Sequence, residues 1–152
     1  FAQEMRDALV QIAENSQLVI TMPNADTNGT YFRDALKELQ SIRPEKVILI
    51  ENFGKLNYFA AMRYCKLLIG NTSSGIIEAA SFGKYVINVG DRQKGRAQSE
   101  NIINVPFKAT AIVESYIKAS SLGAYTGKNI YHRPGTAGQI LNHLKTNAHE
   151  KF

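Results

Sequence analysis

The chain has 152 residues, of which 44% are hydrophobic and 20% charged, with a formal net charge of +5. That length suits a single domain with a full core, and the composition excludes an intrinsically disordered chain. No apolar run approaches the roughly 18 residues of a membrane-spanning helix, and Phe1-Ala2-Gln3-Glu4-Met5 lacks the basic and apolar segments of a signal peptide.

Phe1, Met5, Leu9 and Ile12 fall on one stripe, which predicts an amphipathic helix over 1–15. Leu18, Val19 and Ile20 form the centre of a buried strand over 17–22, broken at Pro23. The turn-rich 24–29 loop follows, and then a helix with Phe32, Leu36, Leu39 and Ile42 inward, ending before Pro44. Val47-Ile48-Leu49-Ile50 is a second apolar strand, 56–65 is helical, and 66–70 is a strand. A helix over 75–82 closes on Gly83 as a left-handed cap, and 85–89 is a strand. Ile102-Ile103-Asn104-Val105 is the last strand, and helices over 110–120 and 136–145 close the chain.

Strands and helices alternate, and the strands are unbroken apolar runs. The pattern predicts an α/β fold, a Rossmann-like, doubly wound parallel sheet with helices on both faces. The chain opens on a helix and lacks an initiator Met, so the expectation is a piece of a longer polypeptide whose preceding strand lies upstream. The lone Cys65 cannot form an internal disulfide. Its apolar helical setting predicts an inert thiol in a reducing, cytoplasmic protein.

In a parallel sheet, the loops after 66–70 and 85–89 open on one carboxyl edge, where α/β proteins bind ligands. The first carries Asn71-Thr72-Ser73-Ser74-Gly75, and one of its hydroxyls must cap the following helix. The others, with Gly75 allowing close approach, suit a phosphate. Glu78 stands among Ile76, Ile77, Ala79, Ala80 and Phe82, so its carboxylate is expected to be buried and in need of donors. Neither Ser73 nor Ser74 has an acid three residues on, so no capping box explains it, and a pair of ligand hydroxyls does. The second loop, Gly90-Asp91-Arg92-Gln93-Lys94-Gly95-Arg96, places arginines between glycines, an arrangement suited to gripping phosphate, with Asp91 expected to pair with Arg92.

Other chemistries lack their residues. Neither a Gly-x-Gly-x-x-Gly fingerprint nor a P-loop occurs, and His132, His143 and His149 lack metal-ligand spacing. Three basic residues in the 92–96 loop do not make a nucleic-acid track.

The block Ile69-Gly70-Asn71-Thr72-Ser73-Ser74-Gly75-Ile76-Ile77-Glu78, with Phe82-Gly83, Val86-Ile87-Asn88-Val89-Gly90 and Asp91-Arg92-Gln93-Lys94-Gly95-Arg96, closely resembles the hydrolysing UDP-N-acetylglucosamine 2-epimerases. The likeness runs from Met22-Pro23-Asn24-Ala25-Asp26 to the loop of Tyr131, Gly135 and Gly138. It implies that residues 1–152 are the C-terminal, UDP-binding domain of a glycosyltransferase-B-type two-domain protein that works as a homo-oligomer. By this resemblance Thr72 and Ser73 hold the diphosphate, Glu78 the ribose hydroxyls, and Arg92 lies near the nucleotide or its leaving diphosphate. Asn24 lies on the cleft edge.

The reaction implied is elimination of UDP from UDP-N-acetylglucosamine or a related UDP-sugar. Water then adds to give N-acetylmannosamine or a 2,4-diacetamido analogue, for sialic or nonulosonic acid synthesis. No metal, nicotinamide or other cofactor is implied.

The non-hydrolysing epimerases carry an acidic residue in the serine turn and an Arg-Asp-Thr-Thr-Glu-Arg segment, so Asn-Thr-Ser-Ser and Asp-Arg-Gln-Lys-Gly-Arg favour the hydrolysing branch. His132-Arg133-Pro134 departs from the Gly-Asp commoner at that place. The family's catalytic histidine segment would precede Phe1, so the expectation is that residues 1–152 alone bind UDP without turnover. The alternatives are a non-hydrolysing epimerase, the donor domain of a glycosyltransferase of the same architecture, and a sugar-nucleotide sensor without chemistry.

Overall fold

The computed structural model describes residues 1–23 and 27–147. Helix α1 spans Ala2–Ile12 and buries Ala8, Leu9 and Ile12. Phe1 leaves that stripe for the surface and stacks on Phe107, with ring centroids 4.9 Å apart. Strand β1 (Leu18–Thr21) leads to α2 (Thr27–Ile42), so the helix already begins within the expected 24–29 loop. Leu36 and Leu39 are buried as expected, but Ile42 is 47% exposed. It sits in the final turn, where the chain swings back through a turn between Arg43 and Lys46 into β2 (Val47–Ile50).

Helix α3 (Gly54–Tyr64) precedes β3 (Leu68–Gly70). The helix expected over 75–82 is two pieces, α4 (Ser73–Ile77) and a 3-10 turn over Ala79–Phe82. Gly83 takes the left-handed cap, at φ 68°. Strand β4 (Val86–Val89), β5 (Ile102–Val105), α5 (Ala109–Ser121) and α6 (Thr136–Asn147) complete the order.

Every strand pair is parallel, with Leu18 level with Val47, Leu68 with Val86, and Val86 with Ile102. The fold is therefore α/β and Rossmann-like, but the strands form two sheets, β1–β2 and β3–β4–β5, rather than one. β4 is central in its sheet and buried along its whole length. On one face Ile87 and Val89 meet Ile112 of α5. On the other, Val86 meets Met62 of α3 and Ala79. β1 and β2 are covered on one face, while Val19 and Ile48 on the other are 51% and 43% exposed. The doubly wound pattern thus holds for the second sheet and is one-sided in the first.

One continuous core runs beneath both sheets: Ala8, Leu9, Ile12 and Ala13 pack with Leu36 and Leu39 of α2 and with Ile112 and Ala119 of α5. Cys65 is partly buried and donates to the Met62 carbonyl, and burial pushes its thiol pKa up, which favours the protonated thiol.

Gly90 ends β4 at φ 79°, and a Cβ there would meet the Phe107 ring at 2.4 Å. Two penalties coincide, the left-handed backbone and the clash. Gly90→Ala is expected to destabilise the fold by about 2–4 kcal/mol, measured by chemical denaturation.

Candidate functional site

The strands are parallel within each sheet, so Thr21 and Ile50 end at one edge of the first and Gly70 and Val89 at one edge of the second, and residues following β1, β2 and β3 line one cleft. After β3, Thr72 is the N-cap of α4, with its Oγ1 accepting from the Gly75 amide at 3.1 Å. Its own hydroxyl proton stays free to donate. Ser73 is exposed, and the first turn leaves the Ser73 and Ser74 amides without intrahelical acceptors.

Ser74 donates its hydroxyl proton to Glu78 Oε2 at 2.5 Å. A phosphate offers only acceptors, so Ser74, unlike Thr72 and Ser73, has no proton left for one. Gly75 is buried, and a Cβ on it would press on Val86 Cγ1 at 3.1 Å. Its missing side chain lets α4 seat on β4.

Glu78 is not buried in a continuous helix as expected. It is partly buried, at the junction of α4 and the 3-10 turn, where the helix loosens at φ −110°, ψ −33°. Its backbone amide still bonds the Ser74 carbonyl, at 2.9 Å. The donor it needs is supplied partly by Ser74, leaving Oε1 for another partner.

Arg92, Lys94 and Arg96 are exposed, on a loop turned by Lys94 N to Asp91 O and Arg96 N to Gln93 O bonds. The expected Asp91–Arg92 pair does not form among the described residues. Both side chains are solvated, so pairing them gains little.

Gln93 is what binds this loop to the serine turn. It is 3% exposed, and its Nε2 donates to the Asn71 carbonyl at 2.6 Å. No sequence signal marks it, since a glutamine between Arg92 and Lys94 reads as solvated.

A cleft of about 640 Å³ opens beside the turn. Ser74 and Glu78 line one side, and Thr21, Met22, Glu51 and Asn52 line the ends of β1 and β2. Phe53, Tyr58 and Phe59 add an aromatic wall, with Phe53 and Tyr58 ring centroids 6.5 Å apart. Arg33 bonds both the Pro23 carbonyl and Glu51, and its hydrogen bond holds the Glu51 carboxyl below its ordinary value.

The structure thus joins Ser74 and Glu78 in the cleft, keeps Thr72 and Ser73 on the same turn, and ties in the Arg92 loop through Gln93. Asn24 lies outside the described residues; Met22, two positions earlier, lines the cleft. His132 and His143 are exposed, and His149 lies outside the described residues. Among the described residues no three His, Cys, Asp or Glu side chains gather as metal ligands, and no helix is long and apolar enough to cross a membrane.

The Rossmann-like α/β domain gathers hydroxyls, an arginine-bearing loop and an aromatic cleft at its carboxyl edge, the place where open α/β sheets bind ligands. The UDP-N-acetylglucosamine 2-epimerase family model matches residues 2–145, and the chain belongs to that family. It is 41% identical over 91 residues to the GDP/UDP-N,N'-diacetylbacillosamine 2-epimerase (hydrolyzing) of Campylobacter jejuni, covering 60% of this chain and 24% of that protein. It is 33% identical over 135 residues to the UDP-N,N'-diacetylbacillosamine 2-epimerase (hydrolyzing) of Legionella pneumophila, covering 89% and 35%. The UDP-N-acetylglucosamine 2-epimerase of Neisseria meningitidis is 29% identical over 135 residues, covering 85% and 35%. The chain spans about a quarter to a third of the length of these curated relatives.

Gln93→Ala removes the Gln93–Asn71 bond and leaves the part-buried Asn71 carbonyl without that donor, so the fold is expected to lose about 1–3 kcal/mol. Amide exchange should rise in 91–97 and at Asn71 while β2 stays protected, measured by hydrogen–deuterium exchange.

Proposed function

We propose that this chain is the UDP-sugar-binding domain of a cytoplasmic, hydrolysing 2-epimerase, the C-terminal half of a longer two-domain, homo-oligomeric enzyme. Its substrate is UDP-N-acetylglucosamine or a 2,4-diacetamido relative, and its products are UDP and the free 2-epimer. The observation that carries the reading is the union of two loops on one edge, the Thr72–Ser73 turn and the Arg92 loop, beside a cleft holding Glu78 and aromatic rings. Family membership and the two relatives named as hydrolysing enzymes support it.

In this arrangement Thr72 and Ser73 donate to the diphosphate, and Arg92 neutralises it as the bond to the sugar breaks. Glu78, oriented by Ser74, accepts from the ribose hydroxyls. The Phe53–Tyr58–Phe59 wall takes the flat base. The acid and base that act on the sugar come from the rest of the longer polypeptide, so this chain alone binds nucleotide without turnover. The full-length protein should convert a UDP-sugar to UDP and a free reducing 2-epimer, followed by NMR. Epimerised sugar still attached to UDP, or transfer to an acceptor, overturns the reading.

Arg92→Ala is expected to weaken UDP binding by about 1–3 kcal/mol while uridine affinity changes much less. Calorimetry with both ligands checks this, and equal losses would remove Arg92 from the phosphate.

Glu78→Gln is expected to weaken UDP and uridine alike and to spare pyrophosphate, since an amide accepts poorly from two hydroxyls. A lowered melting temperature with unchanged uridine affinity would instead make Glu78 a structural partner of Ser74.

A further inference from the structure

The chain between β2 and α3 carries two polar side chains at the head of the aromatic wall, Glu51 and Asn52, and both line the cleft. Each is held by a partner outside the cleft. Arg33 reaches over from α2 and donates to Glu51 Oε1 at 2.5 Å, while its other terminal nitrogen donates to the Pro23 carbonyl at 2.8 Å. A guanidinium only donates, so it pins one carboxylate oxygen and leaves Oε2, which bonds nothing among the described residues, as a spare acceptor. The same hydrogen bond holds the carboxyl below its ordinary value, so that acceptor stays ionised at neutral pH.

Asn52 is oriented by its own backbone. Its Oδ1 accepts from the Gly54 amide at 2.7 Å, where Gly54 takes φ 64° to turn the chain into α3. An amide nitrogen cannot accept that bond, so the partner assigns the oxygen end, and Nδ2 is the end left over. Among the described residues Nδ2 bonds nothing. The two neighbours therefore offer an acceptor at 51 and a donor at 52, directly before Phe53, whose ring centroid stands 6.5 Å from that of Tyr58.

Flat bases stacked on aromatic rings are told apart by the hydrogen-bonding pattern of their edges. Uracil shows N3–H, a donor, beside O4, an acceptor. Cytosine shows the reverse, with N3 as an acceptor beside a donating N4 amino group. We propose that Glu51 and Asn52 determine the choice of base: Glu51 accepts from N3–H and Asn52 donates to O4, which selects uracil over cytosine. The inference rests on the reading of the cleft as a nucleotide site with its base on the Phe53–Tyr58–Phe59 wall. Cytosine in the same pose sets its N3 lone pair against a carboxylate and its amino group against another amino group, where stacking has displaced the water that would relieve either. Arg33 is then a positioning residue, acting on the base only through Glu51.

Calorimetry on the full-length protein with UDP and CDP tests the pair, with inorganic diphosphate as the base-free control. UDP is expected to bind at least about 10-fold more tightly than CDP. Asn52→Asp keeps an oxygen for the Gly54 amide and replaces only the donor, so the preference for UDP should fall at least about 10-fold. Glu51→Gln keeps an oxygen for Arg33, which turns the new amide nitrogen outward, and combined with Asn52→Asp it presents donor then acceptor. That double variant has the net charge of the parent and is expected to prefer CDP, with its affinity for diphosphate unchanged. A purely structural role for these residues weakens both nucleotides together and leaves their ratio alone, and that result overturns the proposal. So does a parent protein that binds UDP and CDP equally, a measurement that does not depend on any variant folding. In that case the nucleotide reading of the cleft stands and only the base assignment falls, whereas binding of neither nucleotide removes both.

Discussion

The packing of α1 against both α2 and α5 is the constraint on which the rest depends. A two-stranded sheet such as β1–β2 is marginal by itself, and it is held because α1 lays one apolar face over both sheets. Leu9 and Ile12 each contribute about 1.5–3 kcal/mol by burial, while Ala8 and Ala13, with no solvent exposure, let the helix sit close. The exposed Arg6–Glu38 pair adds little. The Glu4 bond to the first amide of α5 contributes more, because it satisfies a donor that the helix cannot.

That frame matters to the site because the cleft draws on both sheets. The aromatic wall and Glu51 come from the chain after β2, and the hydroxyl turn comes from the chain after β3. A small rotation of one sheet on the other would separate Tyr58 from Glu78. Within the second sheet the Gln93–Asn71 bond does the equivalent work at shorter range. It closes the loop after β4 onto the loop after β3, so the exposed arginines are carried on a loop anchored to the serine turn.

The apolar runs at Val47–Ile50 and Ile102–Val105 were legible as strands at their observed limits, because β-branched runs between turn residues have few other uses. The capping hydroxyl and the Gly83 cap were legible for the same local reason. The division into two sheets was not, since strand order is decided by which helices pack together and leaves no mark on any one strand. The aromatic wall escaped because Tyr58, Phe59 and Met62 fall at helical spacing, which predicts core. Met62 is core, while Tyr58 and Phe59 also border the cleft. The break at Glu78 escaped as well, because the apolar residues on either side continue a helical pattern through it.

That break has a chemical consequence. In an unbroken helix Ser74 and Glu78 would share one face but leave the carboxylate against the sheet. Loosening the turn brings Glu78 to the cleft, and the Ser74 hydroxyl, having one proton, is spent on holding it there. Donors and acceptors are thereby sorted along a single turn: free hydroxyls at Thr72 and Ser73, then a carboxylate one turn later, then aromatic rings. On the proposed reading this order matches the ligand, diphosphate then ribose then base. A carboxylate at the position of Ser73 would repel the diphosphate, and a hydroxyl at the position of Glu78 would bind the ribose diol less strongly than a charged acceptor. The serine that looks redundant in the Thr-Ser-Ser run thus serves the carboxylate, and on the proposed reading that carboxylate is what distinguishes a nucleotide from inorganic diphosphate.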